Sequence, residues 1–390
     1  MNKAFFINGG AGRVLCSMPA LERYAETHED FIIVSESWSE LYLNNKILRD
    51  HVYPLGHKDL FKEKLRDKKI ISPEPYRVNQ YFNQKCNLIQ AFDIEINELD
   101  EVPETGKISL DINKEDQVTG YNLVAEVKEN LEKEKVVIIQ PFGQSARVEG
   151  NFIFDSSGRS LEVSNLIELI QKLNKNYGVI LMSEVDIPGW SSLGVAKPQG
   201  LGLNGWAGVI NAADYFIGCD SVGQHLAYAV GKPTTVVIGS TYPENISYPD
   251  SSKFTIIDNG KGKRRYSPIR MTMDLNVDRN NEDLMILEGK VVDEIVKGVD
   301  SKLGTKSSSG FRNVSLPASK VKNKSSNALK NISLPESKDQ PFGMMEKAPI
   351  RKYGEPFVVP KNKKKKKPID ELLEIETKKG KVKVLGPGAI

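Results

Sequence analysis

Cysteine is scarce in this chain of 390 residues, and the three present, Cys16, Cys86 and Cys219, are widely dispersed. A disulfide framework or a structural zinc site needs closely spaced pairs, so both are excluded and a reducing, cytoplasmic setting is expected. No run approaches the ~20 apolar residues that span a bilayer, and the apolar start at Met1–Asn8 is too short for a signal peptide, so a soluble or peripheral protein is expected. Histidine is nearly as rare, with four residues.

Charge is present but unevenly placed. The formal net charge of +3 conceals a segment from Ser301 to Ile390 with 21 basic and 8 acidic residues, which leaves 33 basic against 43 acidic in residues 1–300. An acidic globule carries a basic tail. The tail is rich in Ser, Pro and Lys, poor in aromatics, and includes the lysine run 363–367; such composition cannot bury enough apolar surface to fold alone, so the tail is expected to be disordered. Within it, Arg312-Asn313-Val314-Ser315-Leu316-Pro317-Ala318-Ser319-Lys320 recurs as Lys330-Asn331-Ile332-Ser333-Leu334-Pro335-Glu336-Ser337-Lys338. Two copies are too few for a solenoid, which leaves a duplicated docking motif or drift in a linker. The lysine run suits an anionic membrane surface, nucleic acid or plain solvation.

Residues 1–300 are long enough for about two domains. Short apolar strands alternate with helices: strands at 4–7, 31–34 and 52–55, helices at 12–26, 38–44, 58–66 and 76–91, then a strand at 108–112 and a helix at 121–132. After a charged boundary at 134/135 the pattern resumes with strands at 136–139, 178–182, 215–218, 235–238 and 254–257 and helices at 161–173, 205–211 and 224–230. Alternation of this kind predicts an α/β fold with two parallel-sheet, Rossmann-like domains, 1–134 and 135–300. Ligands in such sheets sit at the carboxyl ends of the strands. Gly9–Gly12, Phe142–Arg147, Ser183-Glu184 and Asp220–His225 all fall there.

The most informative segment runs from Ala213 to Pro233. An apolar strand ends in Asp220, a turn Ser221-Val222-Gly223 follows, and Gln224-His225 open a helix. Backbone N–H groups, a hydroxyl and an imidazole at a helix N-terminus suit a phosphate; the plainer alternative for His225 is a partly buried residue that caps its neighbour. Gly9-Gly10-Ala11-Gly12 lacks the full Gly-x-Gly-x-x-Gly dinucleotide pattern, and a close turn between domains accounts for it.

Asp220-Ser221-Val222-Gly223-Gln224-His225, with Gly231-Lys232-Pro233 and the strand from Thr235, resembles the Asp-Thr/Ser-Gly-x-x-His signature of the ADP-heptose:lipopolysaccharide heptosyltransferases, glycosyltransferase family 9. The turn Gly10–Leu21 and the segment Val137–Ser145 are weaker echoes in the same order. The resemblance implies the GT-B fold, two Rossmann-like domains facing across a cleft, and a nucleotide-diphosphate sugar as donor, with neither metal nor other cofactor. It assigns Asp220, Ser221, Gly223 and His225 to the diphosphate seat, Gln144, Ser145 and Arg147 to a phosphate-binding loop, and Glu184 to the ribose. The last two assignments compete with a solvated surface arginine and a solvent-facing carboxylate.

This chain departs from that pattern at two points. Val222 stands where the family usually has glycine, and Arg13 replaces the aspartate that would serve as general base. Glu36 and Glu74 are the substitute acids, and Arg13 is a candidate for a phosphate or an anionic acceptor. The implied acceptor is a glycan or lipopolysaccharide-type molecule, with peripheral contact to an anionic membrane through the tail. A catalytically inactive scaffold or carbohydrate-binding protein is the alternative that Arg13 favours. A DNA-modifying glycosyltransferase is suggested only by the tail and opposed by the acidic body, so nucleic acid is not the expected partner.

Overall fold

The computed structural model describes residues 2–304, except 150–151, 156, 188, 247, 249–251, 264 and 266–282, together with the backbone of 372–377 and 380–385. The lysine run and both copies of the duplicated motif lie outside these residues. Met1–Arg312 form one compact unit. Among the described residues no helix is long and apolar enough to cross a membrane.

The first half builds β1 (Lys3–Ile7), α1 (Ala11–Ala25), β2 (Ile32–Ser35), α2 (Ser39–Leu43), β3 (Val52–Pro54), a π-helical turn (Leu60–Leu65), β4 (Lys69–Ile71), α3 (Asn79–Phe82) and α4 (Leu88–Ile96). The strands are parallel in the order β3-β2-β1-β4. Phe5 and Ile33 enter the main core with Val14, Leu15 and Met18 of α1 and Phe92 of α4. The opposite face, Ala4, Ile32 and Val34, packs with Leu60 and Leu65 of the π-helical turn.

Two sequence expectations change here. The helix expected over 76–91 is divided, because Asn87 starts a new one: its side chain accepts from the Gln90 N–H while the Gln90 side chain accepts from the Asn87 N–H, a reciprocal capping box. The strand expected over 108–112 is irregular, and the fourth strand is β4, three residues long and flanked by charges that disguise it.

The second half comprises α5 (Lys114–Asn130), β5 (Val136–Gln140), a hairpin of β6 (Ala146–Glu149) and β7 (Phe152–Asp155), α6 (Val163–Leu173), β8 (Gly178–Leu181), α7 (Leu203–Ala212), β9 (Tyr215–Cys219), α8 (Val222–Ala229), β10 (Thr234–Ile238), α9 (Pro243–Ile246), β11 (Phe254–Asp258) and α10 (Val291–Leu303). Five parallel strands lie in the order β11-β10-β9-β5-β8. Both faces of β5 and β8–β10 are buried, which explains their near-continuous apolar runs. Asp214, just before β9, accepts from the Val136 N–H and pairs with Lys128 and Lys135, which ties the end of α5 and the start of β5 to β9.

In each sheet the chain reverses its direction of strand addition once, between β1 and β4 and between β5 and β9, and such points leave a crevice at the strands' carboxyl ends. Within the expected tail, β12 (Leu372–Thr377) and β13 (Gly380–Leu385) form an antiparallel hairpin whose register sets Glu374 opposite Lys383 and Glu376 opposite Lys381.

Helices α5 and α7 cross at glycines. A Cβ on Gly208 would lie 2.2 Å from the Asp116 carbonyl oxygen, and one on Gly120 would lie 2.3 Å from the Gly208 carbonyl. Backbone cannot yield as a flexible side chain does, so Gly208→Val should destabilise the unit by about 3 kcal/mol, read by urea unfolding. A change below about 0.5 kcal/mol would mean that the helices do not cross this closely.

Candidate functional site

The crevice between β1 and β4 is filled from within. Arg13, in the first turn of α1 and 4% exposed, donates from Nε to the Asn8 carbonyl at 2.9 Å, from Nη2 to Asn8 Oδ1 at 3.1 Å and to the Pro73 carbonyl at 3.1 Å, and from Nη1 to Glu74 at 3.0 Å. Its guanidinium carbon lies 5.1 Å from the Tyr76 ring centre and 5.4 Å from that of Phe92. Burial disfavours the charge, but Tyr76 and Glu74 outweigh this and hold the pKa above its usual value. A guanidinium has five N–H donors and four serve these contacts, so Arg13 braces the ends of β1 and β4 instead of facing a phosphate. Glu74, the other sequence candidate here, is its ion-pair partner.

The crevice between β5 and β9 is braced in the same manner. Gln140, the last residue of β5, accepts the Gly223 N–H at 2.8 Å and donates to Ser221 Oγ at 3.3 Å. A Cβ on Gly223 would sit 2.3 Å from that Gln140 oxygen, so glycine is required here by close approach. Helix α8 begins at Val222 with Ser221 at its N-cap. The Gly223 N–H that the sequence assigned to an incoming phosphate is therefore occupied by a side chain. Asp220 is buried and accepts from Gln224 Nε2 at 2.8 Å. Burial raises its pKa against the opposing pull of Arg159, whose Nη1 lies 3.9 Å away.

His225 is 4% exposed and sits where α8 meets α1. Its Nδ1 lies 2.5 Å from the Tyr248 hydroxyl and 3.5 Å from Cys16 Sγ. The far edge of the ring rests on Gly12, where a Cβ would come within 3.0 Å of Cδ2. Burial, and secondarily the positive Arg159, push its pKa down to about 3. It is a neutral ring at the junction of the two sheets and supplies no positive charge to a diphosphate.

The remaining candidates divide into those near these crevices and those away from them. Gln144 is exposed at the end of β5, and its Oε1 would lie 3.1 Å from a Cβ on Gly10, which joins the rims of the two crevices. Glu36, exposed just beyond β2, accepts the Gly9 N–H at 3.3 Å, so it flanks the same turn. Ser145 donates to Asp155. Arg147 belongs elsewhere: it lies in β6, 63% exposed, paired with Glu149 and over the Phe154 ring. Glu184 is exposed in the segment after β8, the edge strand of its sheet.

The guanidinium that reaches the Asp220 turn is Arg159, which sequence reading missed. It follows the hairpin β6–β7, and Asp155 fixes its loop by accepting from the N–H groups of Ser157, Arg159 and Ser160 and from the hydroxyls of Ser145, Ser157 and Ser160. Burial penalises the Asp155 carboxylate, yet those hydroxyls and N–H groups hold its pKa below the usual range. The available signal was Asp155-Ser156-Ser157-Gly158-Arg159-Ser160 itself, a basic residue among small loop residues after an acid.

No protein-family model matches the chain and no curated protein sequence matches it. Solved structures do. The Escherichia coli ADP-heptose lipopolysaccharide heptosyltransferase II aligns with 77% of this chain and 98% of its own, at 11% identity and a TM-score of 0.48. The E. coli heptosyltransferase WaaC with ADP-2-deoxy-2-fluoro heptose covers 66% and 93%, at 15% identity and 0.42. The glycosyl transferase family 9 protein of Veillonella parvula covers 77% and 97%, at 12% identity and 0.48. This chain shares with them two parallel-stranded α/β sheets.

The buried imidazole has a sign-definite consequence. The unfolded chain binds a proton at His225 near pH 6.5, whereas the folded chain resists it until about pH 3, so this residue lowers stability as pH falls through that interval. Asp220, with its raised pKa, acts in the opposite sense, so comparison with His225→Gln isolates the imidazole. Relative to that variant, the wild type should lose about 2–3 kcal/mol on acidification from neutrality to pH ~4.5 in urea unfolding. A difference independent of pH would show that the ring protonates freely in the folded state.

Proposed function

We propose that this protein transfers a sugar, with heptose the foremost candidate, from a nucleotide-diphosphate donor to a glycan or lipopolysaccharide-type acceptor without a metal ion. The supporting observation is the permanent cation Arg159, fixed by the Asp155-centred loop at the carboxyl ends of β5 and β9. A guanidinium can offer paired donors to a diphosphate and would stabilise the charge that develops on the leaving group. In this reading Glu36 takes the proton of the acceptor hydroxyl, the acceptor oxygen bonds to the anomeric carbon, and the bond from that carbon to the diphosphate breaks. Glu36 suits the task better than Glu74, whose carboxylate is tied to Arg13.

A second reading, a non-catalytic sugar-binding scaffold, is favoured by one observation: the position of the family's catalytic acid holds Arg13, a buried brace. Calorimetry with ADP-, UDP- and GDP-sugars, paired with a turnover assay on a labelled donor, separates the two. For the transferase, Arg159→Lys should weaken donor binding by about tenfold or more through loss of paired donors, while Arg147→Ala leaves it unchanged. Glu36→Gln should reduce kcat by about 100- to 10,000-fold with donor affinity retained. Binding without turnover would favour the scaffold; folded protein that binds none of these donors would eliminate both readings.

A further inference from the structure

We infer that the π-helical turn between β3 and β4 is a docking surface for an anionic lipid bilayer, a contact independent of the sugar-transfer reading. Doubly wound sheets bury both faces under helices, but here, among the described residues, the face formed by Ala4, Ile32 and Val34 packs with Leu60 and Leu65 from this turn and with the partly buried Phe6 and Tyr53. Two aspartates in the left-handed region, Asp59 at φ 58° and Asp67 at φ 65°, bracket the turn and fix its outline. With Leu60 and Leu65 committed inward, Phe61 projects outward at 74% exposure; Leu55 after β3 and Ile70 in β4 are each 52% exposed. Ile70 pairs in register with Ala4, so it borders the same face of the sheet.

The charges around these side chains select the partner. Residues 55–71 hold six basic and three acidic residues, while residues 1–113 as a whole hold 14 basic and 18 acidic. Lys68 is held by Asp30 and Lys64 lies over the Tyr53 ring, while Lys58, Lys62, Arg66 and Lys69 are exposed, as are Asp59, Glu63 and Asp67. The exposed Phe61 thus belongs to a segment of net positive charge within an otherwise acidic half. Aromatics with lysines and arginines are the chemistry of the membrane interface, where the ring enters the headgroup region and the cations meet anionic lipid. A protein partner would need roughly 800 Å² with a packed apolar centre, and separated apolar side chains among long lysines do not supply one.

The test uses the full chain with vesicles of phosphatidylcholine, with and without phosphatidylglycerol. Because the basic tail can also hold a protein on such vesicles, the decisive readout is insertion at position 61. Phe61→Trp should have its added fluorescence quenched by brominated lipid in the phosphatidylglycerol vesicles, whereas Tyr121→Trp, at a site 70% exposed on α5, should not. Phe61→Ser, checked for native circular dichroism, should lower partitioning by roughly tenfold, about the effect of withdrawing one aromatic from an apolar phase. Sedimentation with vesicles but without quenching at position 61 would assign binding to the tail and overturn the proposal. Failure to sediment, or equal quenching at position 121, would overturn it as well.

Discussion

The contact between His225 and Gly12 is the constraint on which the arrangement of the two sheets depends. An imidazole sealed from water must be neutral, and a neutral ring can lie flush on a helix only where that helix has no side chain. Gly12 meets this requirement, and α1 and α8 consequently approach at their N-terminal turns. Those turns follow β1 and β9, so the same contact brings the switch points of both sheets to one junction. Tyr248 and Cys16 complete it on the other edge of the ring. Polar atoms in such a place find partners within the protein, as Arg13, Gln140 and Asp220 do, although Gln224 Oε1 is buried without one.

That commitment moves the available chemistry outward. Each crevice is closed by a residue of its own strand or helix, Arg13 in one and Gln140 in the other, and both act as braces between segments that end adjacent strands. Gly9 and Gly223 owe their identities to these braces as much as to any ligand. The groups left exposed form a rim: Glu36, Gln144 and the partly exposed Arg159. Rim residues keep their hydration and ordinary mobility, so they can exchange partners at a cost that a buried group such as Arg13 cannot match.

Much of the fold was legible because its signals are local. Apolar runs bounded by glycine and charge located β1, β2, β5 and β8–β11, and the turn after β9 was marked by Asp220-Ser221 before an apolar helix. The misses share one physical cause, dependence on distant partners. Strand β4 is three residues that acquire strand geometry only from β1, and the break before α4 depends on a cap that competes with a continuous apolar periodicity. At the site the same limit applies more severely. Charge and hydrogen-bonding capacity mark Arg13, Arg147 and Arg159 as equals in sequence; the hairpin β6–β7 then turns Arg147 outward and returns the chain so that Arg159 meets Asp220.

The electrostatics of that meeting set terms for any anion that binds there. Arg159 and His225 cannot both be cationic at this separation from water, and the field of the permanent charge is one reason the imidazole stays neutral. The pairing of Arg159 with Asp220 is loose, at 3.9 Å beyond hydrogen-bond distance, while the backbone of Arg159 is held by Asp155. An incoming diphosphate would therefore compete for the guanidinium without displacing the loop that carries it. Asp220 would then be a buried carboxylate that shares its cation with further negative charge, and its already raised pKa would rise again. Any anion bound at this position would thus be coupled to proton uptake, a consequence of burial that is independent of which sugar or base the ligand carries.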